Sequence, residues 1–215
     1  MSFFLHKSNI LLRTVYPEFT WRVETDQEPT IYLTFDDGPI PDVTEFVLEQ
    51  LDKFAAQATF FCIGDNVWKH RDVFHQVVEA GHLIGNHTFN HLNGWKTDDE
   101  RYLENIQQCQ QQLGIETALF RPPYGRIKKS QALDVLDAYS VIMWDVLSGD
   151  FDQSLAAGVC LRKTIHYTEP GSIVVFHDSL KAWPTMRYVL PRALAHFAER
   201  GYQFRAVPQP EYSYV

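Results

Sequence analysis

Two alternating residue periods constrain this chain more than any other feature. Short runs of β-branched and aromatic residues recur along it, and longer segments of helical period separate them. A chain that keeps returning from helix to strand builds βα units, which set parallel strands side by side in a sheet or barrel. Seven strands are expected, over Thr30–Phe35, Ala58–Ile63, His82–Asn86, Ala118–Arg121, Tyr139–Asp145, Ser172–His177 and Tyr202–Val207. Between the first two, Val43, Phe46, Val47, Leu51 and Phe54 recur at helical spacing behind the start signal Pro41-Asp42. A second helix is expected from Asn66 to Ala80, stopped by Gly81. A third opens on Thr97-Asp98-Asp99-Glu100, read as a capping box, and stops at Gly114; another ends before Gly201. With 215 residues, 45% of them hydrophobic, the chain fits one α/β domain around a continuous core. Residues 30–215 form that domain, and residues 1–29 an N-terminal extension expected to pack across the barrel or close its bottom.

Charge and cysteine content narrow the function classes. Against 19 basic side chains stand 27 acidic ones, and the net charge of -8 opposes attraction to phosphates, so no nucleic-acid partner is expected. Cys62, Cys109 and Cys160 are odd in number and far apart, which suits buried reduced thiols rather than a disulfide framework or thiolate metal site. No apolar run has the length of a transmembrane segment, and the first residues are too broken for a signal peptide, which favours the cytoplasm. Nothing in the sequence sets an oligomeric state.

The polar residues that stand out sit where the expected strands end. Asp36 and Asp37 follow the first, His87 the third, Arg121 the fourth, Asp145 and Asp150 the fifth, and His177 the sixth. In parallel barrels the C-terminal strand ends carry the active site. Asp36-Asp37-Gly38 alone is an ordinary turn. His87 and His91, four apart, point the same way if they share a helical turn. Two imidazoles and a carboxylate from one barrel end make a three-ligand site with a position open for water, as catalytic zinc requires. Arg121, on a loop stiffened by Pro122 and Pro123, has the fork to grip a carboxylate or to make a structural ion pair. His177, at the end of an apolar strand on the active side, reads as a general acid.

These residues resemble the polysaccharide deacetylases, also called the NodB-homology or carbohydrate esterase family 4 group. The resemblance runs from Ile31 to Val207 through T-F-D-D-G at 34–38, H-T-F-N-H at 87–91, R-P-P-Y-G at 121–125, W-D-V-L-S-G-D-F at 144–151 and V-F-H at 175–177. It implies a distorted (β/α) barrel of seven or eight strands. It implies a divalent metal ion, zinc by preference, bound by Asp37, His87 and His91, with Asp36 as general base oriented by Arg121 and His177 as general acid. It further implies that the Tyr124 N–H helps hold the oxyanion and that Val175 lines a pocket for the acetyl methyl. Tyr124, Pro123 and Trp144 are then expected beside an N-acetylated carbohydrate, with Trp95 and Trp183 as further flat faces near the loops.

The fourth motif departs from the family. Leu147 stands where an Asp is usual, and Phe151 replaces a Trp. An acid histidine near a metal needs an anion to keep it protonated. Asp150, Asp145 and Asp178 are the candidates, and Asp150 is favoured because it keeps the motif's second acidic position. Two other readings stay open: a metal hydrolase of O-acetyl esters or non-sugar amides, and an inactive carbohydrate-binding relative. The presence of both Asp36 and His177 weighs against the second.

Overall fold

A computed structural model describes residues 4–25 and 28–209 of the chain. Its strands are β1 (Thr30–Asp36), β2 (Thr59–Cys62), β3 (Leu83–Asn86), β4 (Leu119–Phe120), β5 (Ser140–Val141), β6 (Val146–Leu147), β7 (Ile173–His177) and β8 (Gln203–Arg205). Its helices are α1 (Ile10–Val15), α2 (Val43–Asp52), α3 (Gly64–Lys69), α4 (Arg71–Glu79), α5 (Asp99–Leu113), α6 (Lys129–Leu136), α7 (Ala157–Tyr167) and α8 (Trp183–Ala198). The strands pair in parallel in the order β5-β4-β3-β2-β1-β7-β6, and β8 adds to β1. Only residues 142–145 separate β5 from β6, so the two ends of this path stand next to each other. The result is a distorted (β/α) barrel. Among the described residues no helix is long and apolar enough to cross a membrane.

Strand alternation decides which side chains face the barrel interior. On β1, Ile31, Leu33 and Phe35 join the core under the helices, packed with Val47 and Leu51 of α2 and Val189 and Leu190 of α8. Phe35 stacks on Phe60 and Phe176, with ring centroids 5.0 and 6.0 Å apart. The intervening Thr34 and Asp36 therefore point inward, where Arg121 meets both.

Three expectations about local structure are corrected. The strand expected over 139–145 is β5 alone, because the chain leaves the ladder after Ile142, and β6 is an eighth strand that the apolar run concealed. The cause is visible in the backbone: the carbonyls of Ile142 and Met143 accept hydrogen bonds from the buried Arg121 guanidinium at 3.0 and 2.8 Å instead of continuing a strand. The helix expected over 66–80 is two helices, broken at His70 (φ -130°, ψ 53°). The third helix is capped one residue later than expected, by Asp98, whose side chain accepts from the Arg101 N–H, while Gly114 (φ 68°) ends it as foreseen.

The extension runs along the barrel's two free edges. Lys7 bridges to Val146 beside β6, Thr20 to Ile142 beside β5, and Arg22 to Ser172. Phe19 and Trp21 complete an apolar cluster with Tyr102, Phe120, Val141 and Met143. Asp145 locks the extension down. It is fully buried and pairs with Lys7 Nζ at 2.9 Å, Arg22 Nη1 at 3.1 Å and Arg13, and accepts from the Ser172 hydroxyl at 2.6 Å. Asp145 thus lies just before β6, level with the first residue of β7, and not at the strand ends where it was expected. Asp145→Ala is expected to cost about 3 kcal/mol, the low end for breaking a buried pair because the released cations can reach water. Thermal unfolding measures the loss, and limited proteolysis should show the extension cut first.

Candidate active site

The interior of the barrel is closed under the site by one buried cation. Arg121, just after β4, is fully buried and spends its whole fork. Nη1 reaches Asp36 Oδ1 at 2.6 Å and the Thr34 hydroxyl at 2.7 Å, Nε and Nη2 reach the two carbonyls of residues 142 and 143, and the guanidinium lies over the Phe61 ring at 4.1 Å. Asp36 is thereby held with its Oδ1 committed to Arg121.

Asp37 turns the other way on a left-handed backbone (φ 83°) and faces the two histidines. Its Oδ1 lies 3.2 Å from His91 Nε2 and 3.9 Å from His87 Nε2, and one ligand atom from each residue falls within 4.8 Å of the others. That buried oxygen has no hydrogen-bond partner among the described residues, so the three side chains fit a cation. Burial works against the Asp37 charge, yet His177, His91 and His87 together hold its carboxyl below the usual range. Burial also lowers both imidazoles, His91 to about 4, which leaves them neutral as metal ligands must be. His87 Nδ1 is 2.7 Å from the Arg121 carbonyl and can only donate there, so Nε2 carries the free lone pair. His91 Nδ1 meets the Tyr124 hydroxyl at 3.1 Å.

The two histidines do not converge through a helical turn, as their spacing suggested. Residues 87–91 form an irregular loop with positive φ at Thr88 (63°) and His91 (56°). Asn105 of α5 holds it, its Oδ1 accepting from the N–H groups of Phe89 and Asn90 at 2.9 and 3.0 Å. Asn105 was legible only as a polar residue on the buried stripe of a helix. Sequence reasoning missed it, and likewise missed Asn66, whose Nδ2 donates to the Asp37 carbonyl at 2.7 Å.

On the opposite side His177 ends β7. Asp150 takes it with both oxygens, Oδ1 at 2.8 Å from Nδ1 and Oδ2 accepting from the His177 backbone N–H at 2.8 Å. Burial disfavours the imidazolium, but the Asp150 charge and hydrogen bond, with Asp37 and Asp36 behind, outweigh it and raise the histidine to about 9. Asp178 is elsewhere, accepting from the Gly38 N–H at 3.0 Å and the Thr44 hydroxyl at 2.6 Å. Burial pushes it up to about 8. A Cβ at Gly38 would come within 1.9 Å of its Oδ2, so the Asp-Gly turn admits only glycine here. Of the three candidate partners, the structure places Asp150 alone on the histidine ring.

Comparison with known proteins agrees with this geometry. The family model "Polysaccharide deacetylase" matches residues 23–141, more than half of the chain. This chain belongs to the polysaccharide deacetylase family. A peptidoglycan-N-acetylglucosamine deacetylase of Bacillus cereus is 33% identical over 196 residues, covering 88% of this chain and 91% of the relative. A chitooligosaccharide deacetylase of Azorhizobium caulinodans is 30% identical over 206 residues, covering 86% and 95%. The crystal structure of the Bc1960 peptidoglycan N-acetylglucosamine deacetylase, in complex with an N-oxidanyl-benzamide, superposes with a TM-score of 0.84 at 25% identity over 91% of this chain and 94% of that one.

In this deacetylase-family barrel the residues expected at the substrate separate into two kinds. Tyr124 is exposed at the rim on a left-handed backbone (φ 61°), and the half-buried Trp144 packs under its turn, where a Cβ at Gly125 would meet the indole at 2.6 Å. Pro123 and Val175 are buried, Val175 completely, and present no surface to a ligand in this structure. Trp95 is exposed, its indole N–H donating to the Ile127 carbonyl, while Trp183 packs on Phe46 between α8 and α2.

Proposed function

We propose that this protein is a metal-dependent N-deacetylase that removes acetyl groups from N-acetylated sugars, with zinc as its cation. The observation that carries the reading is the unpartnered, buried Asp37 Oδ1 facing two neutral imidazoles, between an Asp36–Arg121 pair and an Asp150–His177 pair. The names of the relatives supply the substrate class, since those described act on N-acetylated sugars.

Asp37, His87 and His91 would hold the cation, which when bound polarises an amide carbonyl and makes water acidic near neutral pH. Asp36 takes the proton of the attacking water. Arg121 holds Oδ1, which leaves the other oxygen to do so. His177, with Nδ1 committed to Asp150, presents its other nitrogen to the leaving amine and protonates it as the C–N bond breaks. Water is consumed, and acetate and a free amine leave. Tyr124 stands at the rim, where its N–H serves the oxyanion and its ring a sugar face.

Acetate release from N-acetyl chitooligosaccharides, peptidoglycan fragments and acetylated xylan, measured after chelation and again with added zinc, tests this. Release from the N-acetyl substrates, restored by zinc, is expected. Release from acetylated xylan alone would assign the site to O-acetyl esters, and glycan binding without any release would make it a binding relative.

A further inference from the structure

The extension does more than cover the barrel edges. Its first described residues run antiparallel to β6, with the Leu147 N–H donating to the His6 carbonyl at 2.9 Å and His6 Nδ1 lying 3.0 Å from the Leu147 carbonyl. This clamps residues 4–8 onto the strand that leads into the fourth motif. The side chains of Phe4 and His6 then both lie over Gly149. A Cβ at Gly149, whose φ is 83°, would come within 2.7 Å of Phe4 Cζ and 2.9 Å of His6 Cε1. Glycine there leaves room for the extension to dock.

From Gly149 an aromatic chain leads to the proposed acid. Phe4 packs against Phe151 with centroids 5.0 Å apart, and Phe151 meets the His177 ring edge to face at 5.1 Å. Lys181 Nζ covers Phe151 at 5.6 Å from its centroid. Phe151 thus sits between a ring from another part of the chain and the His177 ring. Resting on the deacetylase reading above, we infer that Phe4 is a positioning residue: the extension reaches into the active site and holds Phe151 against His177. The Asp150 hydrogen bond fixes one nitrogen of the imidazole, and the Phe151 ring fixes the plane in which the other nitrogen points. Phe4 removes the freedom Phe151 would otherwise have to swing from that ring.

Phe4→Ala, Phe4→Tyr and Leu5→Ala variants of the full chain test this by steady-state kinetics and by the His177 ring resonances in histidine-labelled protein. Leu5 is the adjacent exposed side chain and serves as the control. Phe4→Ala is expected to lower kcat about tenfold with KM within about twofold, since a small misplacement of a reacting group costs rate rather than binding. The His177 ring protons, shifted by the Phe151 ring, should move in the same variant, Phe4→Tyr should restore both readouts, and Leu5→Ala should change neither. Unchanged kcat and resonances in Phe4→Ala would overturn the inference, and so would a loss confined to KM or an equal loss in Leu5→Ala. The resonances report the geometry even if no N-acetylated substrate is turned over, so failure of the deacetylase reading and failure of this one are distinguishable.

Discussion

Asp36→Asn is expected to lower kcat by about 1000-fold, within the range that general acid–base groups contribute, while the protein still binds one equivalent of zinc. The substituted amide is the same size and its carbonyl can still accept from Arg121, but it cannot take a proton from water. A second effect accompanies the first. Arg121 is fully buried, and its other partners, the Thr34 hydroxyl and two carbonyls, satisfy its hydrogen bonds but not its charge. Losing the carboxylate on it should cost about 3 kcal/mol, or a fall in Tm of roughly 10 °C for a domain of this size. Activity must therefore be compared well below the new midpoint. His87→Ala separates the two carboxylates' roles. It removes a ligand that Asp37 faces and leaves Asp36–Arg121 intact, so zinc and turnover should be lost together. An Asp36→Asn variant with near-normal kcat would remove Asp36 from the base's role, and a His87→Ala variant that keeps its zinc would remove His87 from the ligand set.

The backbone geometry shows why this site was legible in outline and not in detail. Strand alternation and the rule that parallel barrels work at their C-terminal strand ends sufficed to place Asp36, Asp37, His87, Arg121 and His177 together, because both are local patterns with a fixed geometric consequence. The structure brings those five residues to one end. Spacing failed where the backbone leaves regular structure. Asp37, Thr88, His91 and Tyr124 all adopt positive φ, a conformation that costs a non-glycine residue about 1–3 kcal/mol and that no periodicity announces. The helical turn expected for His87 and His91 was the regular answer to a four-residue spacing, and the observed loop depends on Asn105, sixteen residues beyond Phe89.

Asp145 failed for a related reason. An apolar run from Tyr139 onward reads as one strand, and only the demand of the distant Arg121 for two carbonyls interrupts it and moves Asp145 to the far end of the barrel. Contacts that join residues far apart in the chain decide such cases. The same holds for Phe4 on Phe151, where nothing near position 4 announces its partner.

Asp150→Asn is expected to lower kcat about 100-fold at neutral pH and to shift the alkaline limb of the pH–rate profile toward acid. The sign follows from the balance on His177. Burial, the largest influence, disfavours its charged form, and the Asp150 carboxylate reverses this and carries the ring to about 9. A general acid works while protonated, so activity persists below that value and fades as pH rises through it. A cation bound beside Asp37 would pull the limb down in both proteins, because a positive charge disfavours the imidazolium. In the Asp150→Asn variant only the more distant charges of Asp37 and Asp36 oppose the burial, and the limb should fall toward the ordinary histidine value of about 6.5. Stability follows the same linkage. The raised histidine contributes stability that is fully present below its unfolded pKa and lost as pH rises through about 9, so wild type and Asp150→Asn should differ most in Tm at acid pH and converge in alkali. Asp145→Asn is the control, since that carboxylate is also buried and also in the fourth motif but pairs with Lys7, Arg13 and Arg22. It should lose Tm without moving the limb. An unmoved limb in Asp150→Asn would assign the titrating acid to a group other than His177, and a limb that moves equally in both variants would trace the shift to general loosening of the barrel rather than to the hydrogen bond between Asp150 and the ring.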